Sequence, residues 1–274
     1  MPELPEVEVL RRSLEPHLVG DRIRRVEVRA RALREPLRGG ELRRRAEGRA
    51  FAALRRRGKY LLLDLEGGTT LLLHLGMSGR LTLVPAGTPR EAHEHLAFHL
   101  DSGRRLRFRD PRRFGLVLAL PTGGLERDRH LAHLGLEPLE RQFSGAALRR
   151  LAAGRRAPVK AFLMDARRVV GVGNIYATEA LHRAGIHPAR AVGRISAERW
   201  RRLATAVRAV LRRAIRQGGT TLNDFADGEG RSGEFQVDLA VYGREGERCG
   251  RCGSRVRRLV QSGRSTFYCP RCQR

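Results

Sequence analysis

Cysteine is nearly absent from this chain: there are four in 274 residues, and none before Cys249. Lysine is scarcer still, since Lys59 and Lys160 are the only two among 55 basic residues. No stretch approaches the roughly 18 consecutive apolar residues that a membrane-spanning helix needs, so no such helix is expected. The first twenty residues interleave acids and bases without an apolar core, so a secretory leader is not expected, and a reducing cytoplasm is the expected location. Internal repeats and long low-complexity linkers are missing too. The length allows two or three domains around a sizeable core.

What is present is positive charge. Lys+Arg 55 against Asp+Glu 29 gives a formal net charge of +26 and a pI near 11.6. A surplus of this size suits a polyanionic partner, because each neutralised phosphate releases counterions. In a chain that otherwise uses arginine, a retained lysine suggests a position needing a compact ammonium. Lys59 and Lys160 are therefore singled out.

The four cysteines read Cys249-Gly250-Arg251-Cys252 and Cys269-Pro270-Arg271-Cys272, with residues 253–268 between them. Two C-x2-C pairs at this separation match a zinc site. Disulfides would have to bridge cysteines only two residues apart in a chain without a secretory signal. Four thiolates close a tetrahedral site and leave no position for substrate, so one structural zinc ion is expected. The loop between the pairs carries Arg255, Arg257, Arg258 and Arg264.

At the other end stands Met1-Pro2-Glu3-Leu4-Pro5-Glu6. If Met1 is removed, Pro2 presents a secondary amine, and α-amino groups titrate near roughly pH 7.7–8.0. Attack by such an amine on a sugar or carbonyl carbon gives a cationic iminium, and Glu3 is placed to move the accompanying proton. The plainer reading is that Pro2 and Pro5 stiffen a leader before a helix.

Val7, Leu10, Leu14 and Leu18 recur at helical spacing until Gly20. Apolar runs over 60–65 and 70–75, joined by Gly67-Gly68, predict a hairpin; 96–100 and 105–109 repeat it around Asp101-Ser102-Gly103, and 115–120 adds a strand. After Pro138 the pattern turns helical. A short helix over 158–164, a turn at 171–174 and a helix over 175–184 precede a longer one capped by Ser196. Its apolar stripe is Trp200, Leu203, Ala204, Val207, Leu211 and Ala214. Its other face carries Arg201, Arg202, Arg208, Arg212 and Arg213, expected to be solvated. Residues 218–233 are expected to form a mobile loop.

Motifs in fixed order strengthen the reading. They are Pro2–Glu6, Arg56-Arg57-Gly58-Lys59-Tyr60, His74-Leu75-Gly76-Met77-Ser78-Gly79, Asp110-Pro111-Arg112-Arg113-Phe114-Gly115, Gly171-Val172-Gly173-Asn174-Ile175-Tyr176, Gly218-Gly219-Thr220-Thr221-Leu222, Val241-Tyr242-Gly243-Arg244 and the cysteine pairs. Together they cover the chain end to end, and it resembles the formamidopyrimidine-DNA glycosylases.

The resemblance implies an α+β, multidomain protein. It has an N-terminal antiparallel β-sandwich with a flanking helix (1–128), a helical helix-two-turns-helix domain (129–234) and a C-terminal β-hairpin zinc finger (235–274). It implies damaged double-stranded DNA as partner, Pro2 as nucleophile, Glu3 as general acid and Glu6 as a setter of the local field. Lys59 would hold phosphate and serve in β-elimination, and Arg264 in δ-elimination. His93, Arg155, Lys160 and Asn174 would contact the DNA backbone, while Met77, Arg112 and Phe114 would fill the gap left by the extruded base. Asn223 departs from relatives with lysine there, which leaves base preference open. The related endonuclease VIII branch, which takes oxidised pyrimidines and opens Pro-Glu-Gly-Pro-Glu, and a non-catalytic zinc-dependent DNA-binding protein are the alternatives. No obligate protein partner is evident, and a monomer is expected.

Overall fold

The computed structural model describes residues 2–219 and 239–274, so the expected loop over 218–233, with Asn223, lies almost wholly outside the described residues. The chain forms two compact units, one carrying the residues up to Ala132 and the other starting at His133 and including the C-terminal segment.

The first unit begins with α1 (Leu4–Leu18), whose Leu4, Val7, Leu10, Leu14 and Leu18 are buried at the spacing read from the sequence. There follow β1 (Ile23–Val28), α2 (Gly39–Ala46), β2 (Phe51–Arg57), β3 (Tyr60–Leu65), β4 (Thr69–His74), β5 (Arg80–Pro85), β6 (Glu94–Leu100), β7 (Arg104–Arg109) and β8 (Leu116–Pro121). Two antiparallel sheets result, ordered β2-β3-β4-β8 and β1-β6-β7-β5.

Leu61, Leu63, Leu65, Leu71 and Leu73 join Phe98, Leu106, Phe108 and the apolar face of α1 in one core. Side chains alternate across a strand, so Leu62 and Leu72 point the other way, where Leu125 and the half-buried Leu131 cover them. Burial on both faces explains why β3 and β4 read as continuous leucine runs.

The second unit holds α3 (Gly145–Ala152), α4 (Val159–Met164), α5 (Asn174–Ala184), α6 (Ala197–Arg216) and the antiparallel hairpin β9 (Arg257–Gln261) and β10 (Arg264–Tyr268). The predicted stripe on α6, from Trp200 to Ala214, is buried. Ser196 Oγ accepts from the Arg199 amide at 3.3 Å, as a capping residue should. One reading of the opposite face is corrected. Arg208 is not a solvated charge: it donates to the carbonyls of Pro138 at 3.1 Å and Glu140 at 2.5 Å and lies over the Phe143 ring. Its long planar fork reaches three loop groups that a plain helical wheel does not show. Among the described residues no helix is long and apolar enough to cross a membrane.

Candidate nucleic-acid site and metal centre

Pro2, Glu3 and Glu6 sit at the start of α1, and all three are buried. The Glu3 amide donates to Glu6 Oε2 at 2.8 Å, one half of a reciprocal capping box. Glu6 thus fixes the backbone that carries Pro2 and Glu3, and its negative charge lies at the positive pole of the helix.

One turn further on, Glu8 links this helix to the Lys59 turn. Burial alone would raise the Glu8 carboxyl, yet hydrogen bonds from Arg11 and Arg12 hold it below the usual range. Arg56 donates to Glu8 Oε2 at 3.1 Å and, through its other nitrogen, to the Gly58 carbonyl at 3.1 Å. Gly58 and Lys59 form the two-residue turn of the β2–β3 hairpin, with Arg57 paired to Tyr60 and φ +57° at Gly58. A positive φ at the first turn position is what a type II′ hairpin requires, and glycine supplies it freely. Arg56 therefore sets where Lys59 is presented relative to α1.

A second structure in the same unit is built around Asp110, whose carboxylate is wholly buried. Its Oδ1 accepts from Ser78 Oγ at 2.7 Å and its Oδ2 from the Gly115 amide at 2.7 Å. The Ser78 hydroxyl also accepts from the Arg112 amide at 3.2 Å. This one carboxylate fastens the loop after β4 to the loop after β7. Gly76 lets them close: a Cβ there would fall 2.6 Å from the Phe114 carbonyl oxygen.

The two loops present Met77 at 37% and Phe114 at 45% exposure, large apolar side chains turned to solvent rather than packed in the core. The Arg112 guanidinium lies 5.0 Å from the centre of the Phe114 ring. Arg34 completes the arrangement by donating to the Phe114 carbonyl at 3.0 Å and to His74 Nδ1 at 3.1 Å. Burial, and then the nearby Arg34 charge, lower His74 to about 3, so it stays neutral and accepts. His93 is exposed just before β6, in a left-handed conformation (φ +65°), and its carbonyl accepts from the Asp110 amide at 3.0 Å.

In the second unit the second retained lysine is buried. The Lys160 ammonium donates to Asn174 Oδ1, to Thr266 Oγ1 at 2.6 Å and to the Ser265 carbonyl at 3.5 Å. Asn174 in turn donates to the Ser265 carbonyl at 3.0 Å. An ammonium with three donors suits this node; a guanidinium would not fit. Lys160 and Asn174 thus pin β10 to the start of α5, and β10 opens with the exposed Arg264. Arg155 is exposed beyond α3, its Nε donating to the Leu151 carbonyl at 3.0 Å.

The four cysteine sulfurs lie within 4.8 Å of one another, with Cys252 and Cys269 at 3.4 Å and Cys249 and Cys272 at 3.9 Å. A tetrahedron with bonds of roughly 2.3 Å has edges of roughly 3.8 Å, so the donor set fits zinc. The thiols compete: backbone and hydroxyl hydrogen bonds from Ser254 pull Cys252 down to about 6, while burial pushes Cys272 up to about 12. A bound cation removes that conflict. Gln273 accepts from the Cys269 amide at 2.8 Å and donates to the Ile186 carbonyl at 2.9 Å, holding the second knuckle to the chain after α5. Glu179, on α5, receives the amides of Ala240, Val241 and Tyr242 at 2.9, 3.0 and 2.9 Å. These anchors, like Asp110, Arg56 and Arg34, carry no signature that singles them out by residue type.

A DNA-repair glycosylase with a zinc finger is the class that this fold and these features define. Family models for the formamidopyrimidine-DNA glycosylase N-terminal domain, its H2TH domain and the zinc finger found in FPG and IleRS match residues 1–117, 134–226 and 246–274. The chain is 51% identical over 274 residues, the whole of both chains, to formamidopyrimidine-DNA glycosylase of Xanthomonas campestris pv. campestris. Among solved structures it is similar to the MutM (Fpg) protein of Thermus thermophilus, with TM-score 0.87, 42% identity and 99% and 98% of the two chains covered. It is also similar to Lactococcus lactis Fpg in a complex with DNA containing an abasic site, with TM-score 0.91, 32% identity and 99% of each chain covered. The chain belongs to the formamidopyrimidine-DNA glycosylase family.

Proposed function

We propose that this protein is a bifunctional DNA glycosylase and abasic-site lyase that removes oxidised purines, 8-oxoguanine and formamidopyrimidines, from duplex DNA. The observation that carries the reading is the organisation of the first unit. Glu6 caps the helix start that bears Pro2 and Glu3, Arg56 ties that helix to the Lys59 turn, and Asp110 holds Met77 and Phe114 out to solvent. An inert DNA-binding protein has no use for the first two.

With Met1 removed, the Pro2 amine attacks C1′ of the damaged nucleotide. The C1′–N bond breaks and the base leaves with a proton. Glu3 protonates the sugar ring oxygen as the ring opens, giving an iminium between Pro2 and C1′. The iminium acidifies the C2′–H bond, and loss of that proton expels the 3′ phosphate. A further proton loss expels the 5′ phosphate, and hydrolysis of the iminium frees the enzyme. Lys59 holds phosphate and serves the first elimination, and Arg264 supports the second.

Extruding the base costs a few kcal/mol. Met77 and Phe114 replace the lost stacking, and Arg112 hydrogen-bonds the widowed base. His93 and Arg155 hold the backbone; Lys160 and Asn174, expected to contact it as well, act instead through the strand that carries Arg264, because the buried Lys160 ammonium is spent on Asn174, Ser265 and Thr266. One zinc ion is held by Cys249, Cys252, Cys269 and Cys272. With four protein ligands it supplies structure rather than Lewis acidity. On this reading residues 1–128 carry base release and the first elimination, residues 129–234 hold DNA, and residues 235–274 hold the zinc ion and supply Arg264 to the second elimination. The protein acts as a monomer in the cytoplasm.

The test is excision from duplexes containing 8-oxoguanine opposite cytosine or thymine glycol opposite adenine. Faster release of 8-oxoguanine is expected; preference for thymine glycol would move the protein to the endonuclease VIII type.

A further inference from the structure

A cavity of about 460 Å³ opens beside α5 and α6 in the second unit, and none of the residues assigned above to DNA, elimination or the metal lines it. Val210 and Ala214 of α6, with Leu239, form apolar walls. Arg183, Arg213 and Arg251 also line it, and all three are exposed. Glu179 is the one carboxylate among the described lining residues, and its oxygens receive the three backbone amides of residues 240–242.

Arg251 is held in place. Its guanidinium donates to the carbonyls of His182 and Arg183 at 3.0 and 3.5 Å, at the negative end of α5. These residues are eight and nine positions beyond Asn174, roughly 12–14 Å along the helix at about 1.5 Å per residue. The cavity's lining on α5 runs from Tyr176 to Arg183, and its arginines gather at the end of the helix away from Asn174, which binds the hairpin.

Apolar walls with a few convergent polar groups, at a volume of this order, characterise small-molecule sites. A row of arginines alone would suit nucleic acid, but a sugar–phosphate backbone gains nothing from the leucine and valine walls. We propose that this cavity binds a small organic anion, a phosphate or sulfonate on an apolar or aromatic body. Arg183, Arg213 and Arg251 hold the anionic head, while Val210, Ala214 and Leu239 enclose the body. Because Arg251 stands between Cys249 and Cys252, an occupant that draws its guanidinium inward also loosens the knuckle from α5.

The test uses full-length, zinc-loaded protein titrated with anilinonaphthalene sulfonate at physiological salt, followed by fluorescence. A saturable, single-site increase is expected, displaced by naphthyl phosphate and not by neutral naphthol. Arg213→Ala, which leaves the metal knuckle untouched, should weaken probe binding about tenfold, and adding Arg251→Ala should weaken it further. Arg212→Ala, on the neighbouring exposed position, should change neither. Affinity for duplex DNA should be the same in Arg213→Ala as in the parent. Equal loss of probe binding in Arg212→Ala and Arg213→Ala would mean a diffuse positive surface and overturn the proposal. Displacement of the probe by DNA, with weakened DNA binding in Arg213→Ala, would overturn it in favour of a nucleic-acid surface.

Discussion

Replacing Asp110 should separate the two loops that carry Met77 and Phe114. In Asp110→Ala, the buried Gly115 amide and the half-buried Ser78 hydroxyl both lose their acceptor. The stranded buried amide costs about 1–3 kcal/mol and the hydroxyl, which can turn toward water, less, so a total of about 3 kcal/mol is expected. Asp110→Asn is the sharper probe. Its remaining carbonyl oxygen can keep the Gly115 amide, which cannot turn away. The Ser78 hydroxyl can rotate to accept from the new NH2 group, so the loss should be only about 1–2 kcal/mol.

The assay is urea unfolding followed by far-ultraviolet circular dichroism. The chain's single tryptophan, Trp200, lies in the other unit and would not report on these loops. Affinity for a duplex with an abasic site should fall in the same order, Ala below Asn below parent. Equal destabilisation by Ala and Asn, or a loss under about 1 kcal/mol for Ala, would refute the lock.

Cys269→Ser should lose zinc and DNA affinity while the β-sandwich keeps its circular dichroism; metal analysis decides, and full zinc content in the variant would contradict the assignment. Ser262, at φ +49° in the two-residue turn between Gln261 and Arg264, adopts a conformation that asparagine tolerates better. Ser262→Asn should stabilise the hairpin by about 0.5 kcal/mol, read as slower amide exchange in β9 and β10. Glu27 is lowered from 4.5 to about 2, chiefly by the hydrogen bond from Arg29, with His99, and by the Arg29 and Arg90 charges. Its contribution is therefore complete above pH 4.5 and lost as pH falls toward 2. After discounting for solvent screening it is about 1 kcal/mol, and Glu27→Gln should remove that part of the acid-side slope.

What the sequence disclosed follows from the range of each signal. The β3–β4 hairpin was legible because Gly67-Gly68 interrupts two leucine runs, and the cysteine pairs because C-x2-C spacing encodes a metal knuckle locally. β1, β2 and β5 were not legible in the sequence. All three are edge strands, and in β1 and β2 register shifts between Ile23 and Arg25 and between Phe51 and Ala53 break the period-two alternation that would have marked them. α3 and α2 are two-turn helices, too short for a periodic stripe.

At the site, Asp110 belongs to a motif visible in the sequence, yet its partner Ser78 is 32 positions away, and nothing local says that the carboxylate is buried. Lys160 stood out because arginine could not replace it. The reason lies in the fold: its ammonium is enclosed by oxygens from Asn174, Ser265 and Thr266. Arg208 was misread because helical periodicity places a side chain on a face but does not say which loop covers that face.

The central claim is that the Pro2 amine is the nucleophile. The most direct measurement is borohydride trapping on a duplex containing 8-oxoguanine opposite cytosine, with protein whose loss of Met1 is verified by mass. A covalent protein–DNA species that disappears in Pro2→Gly, while Pro2→Gly still binds the duplex, is the predicted result. A correctly processed, zinc-loaded protein that binds this duplex and an abasic-site duplex yet yields no trapped species with either would contradict the account.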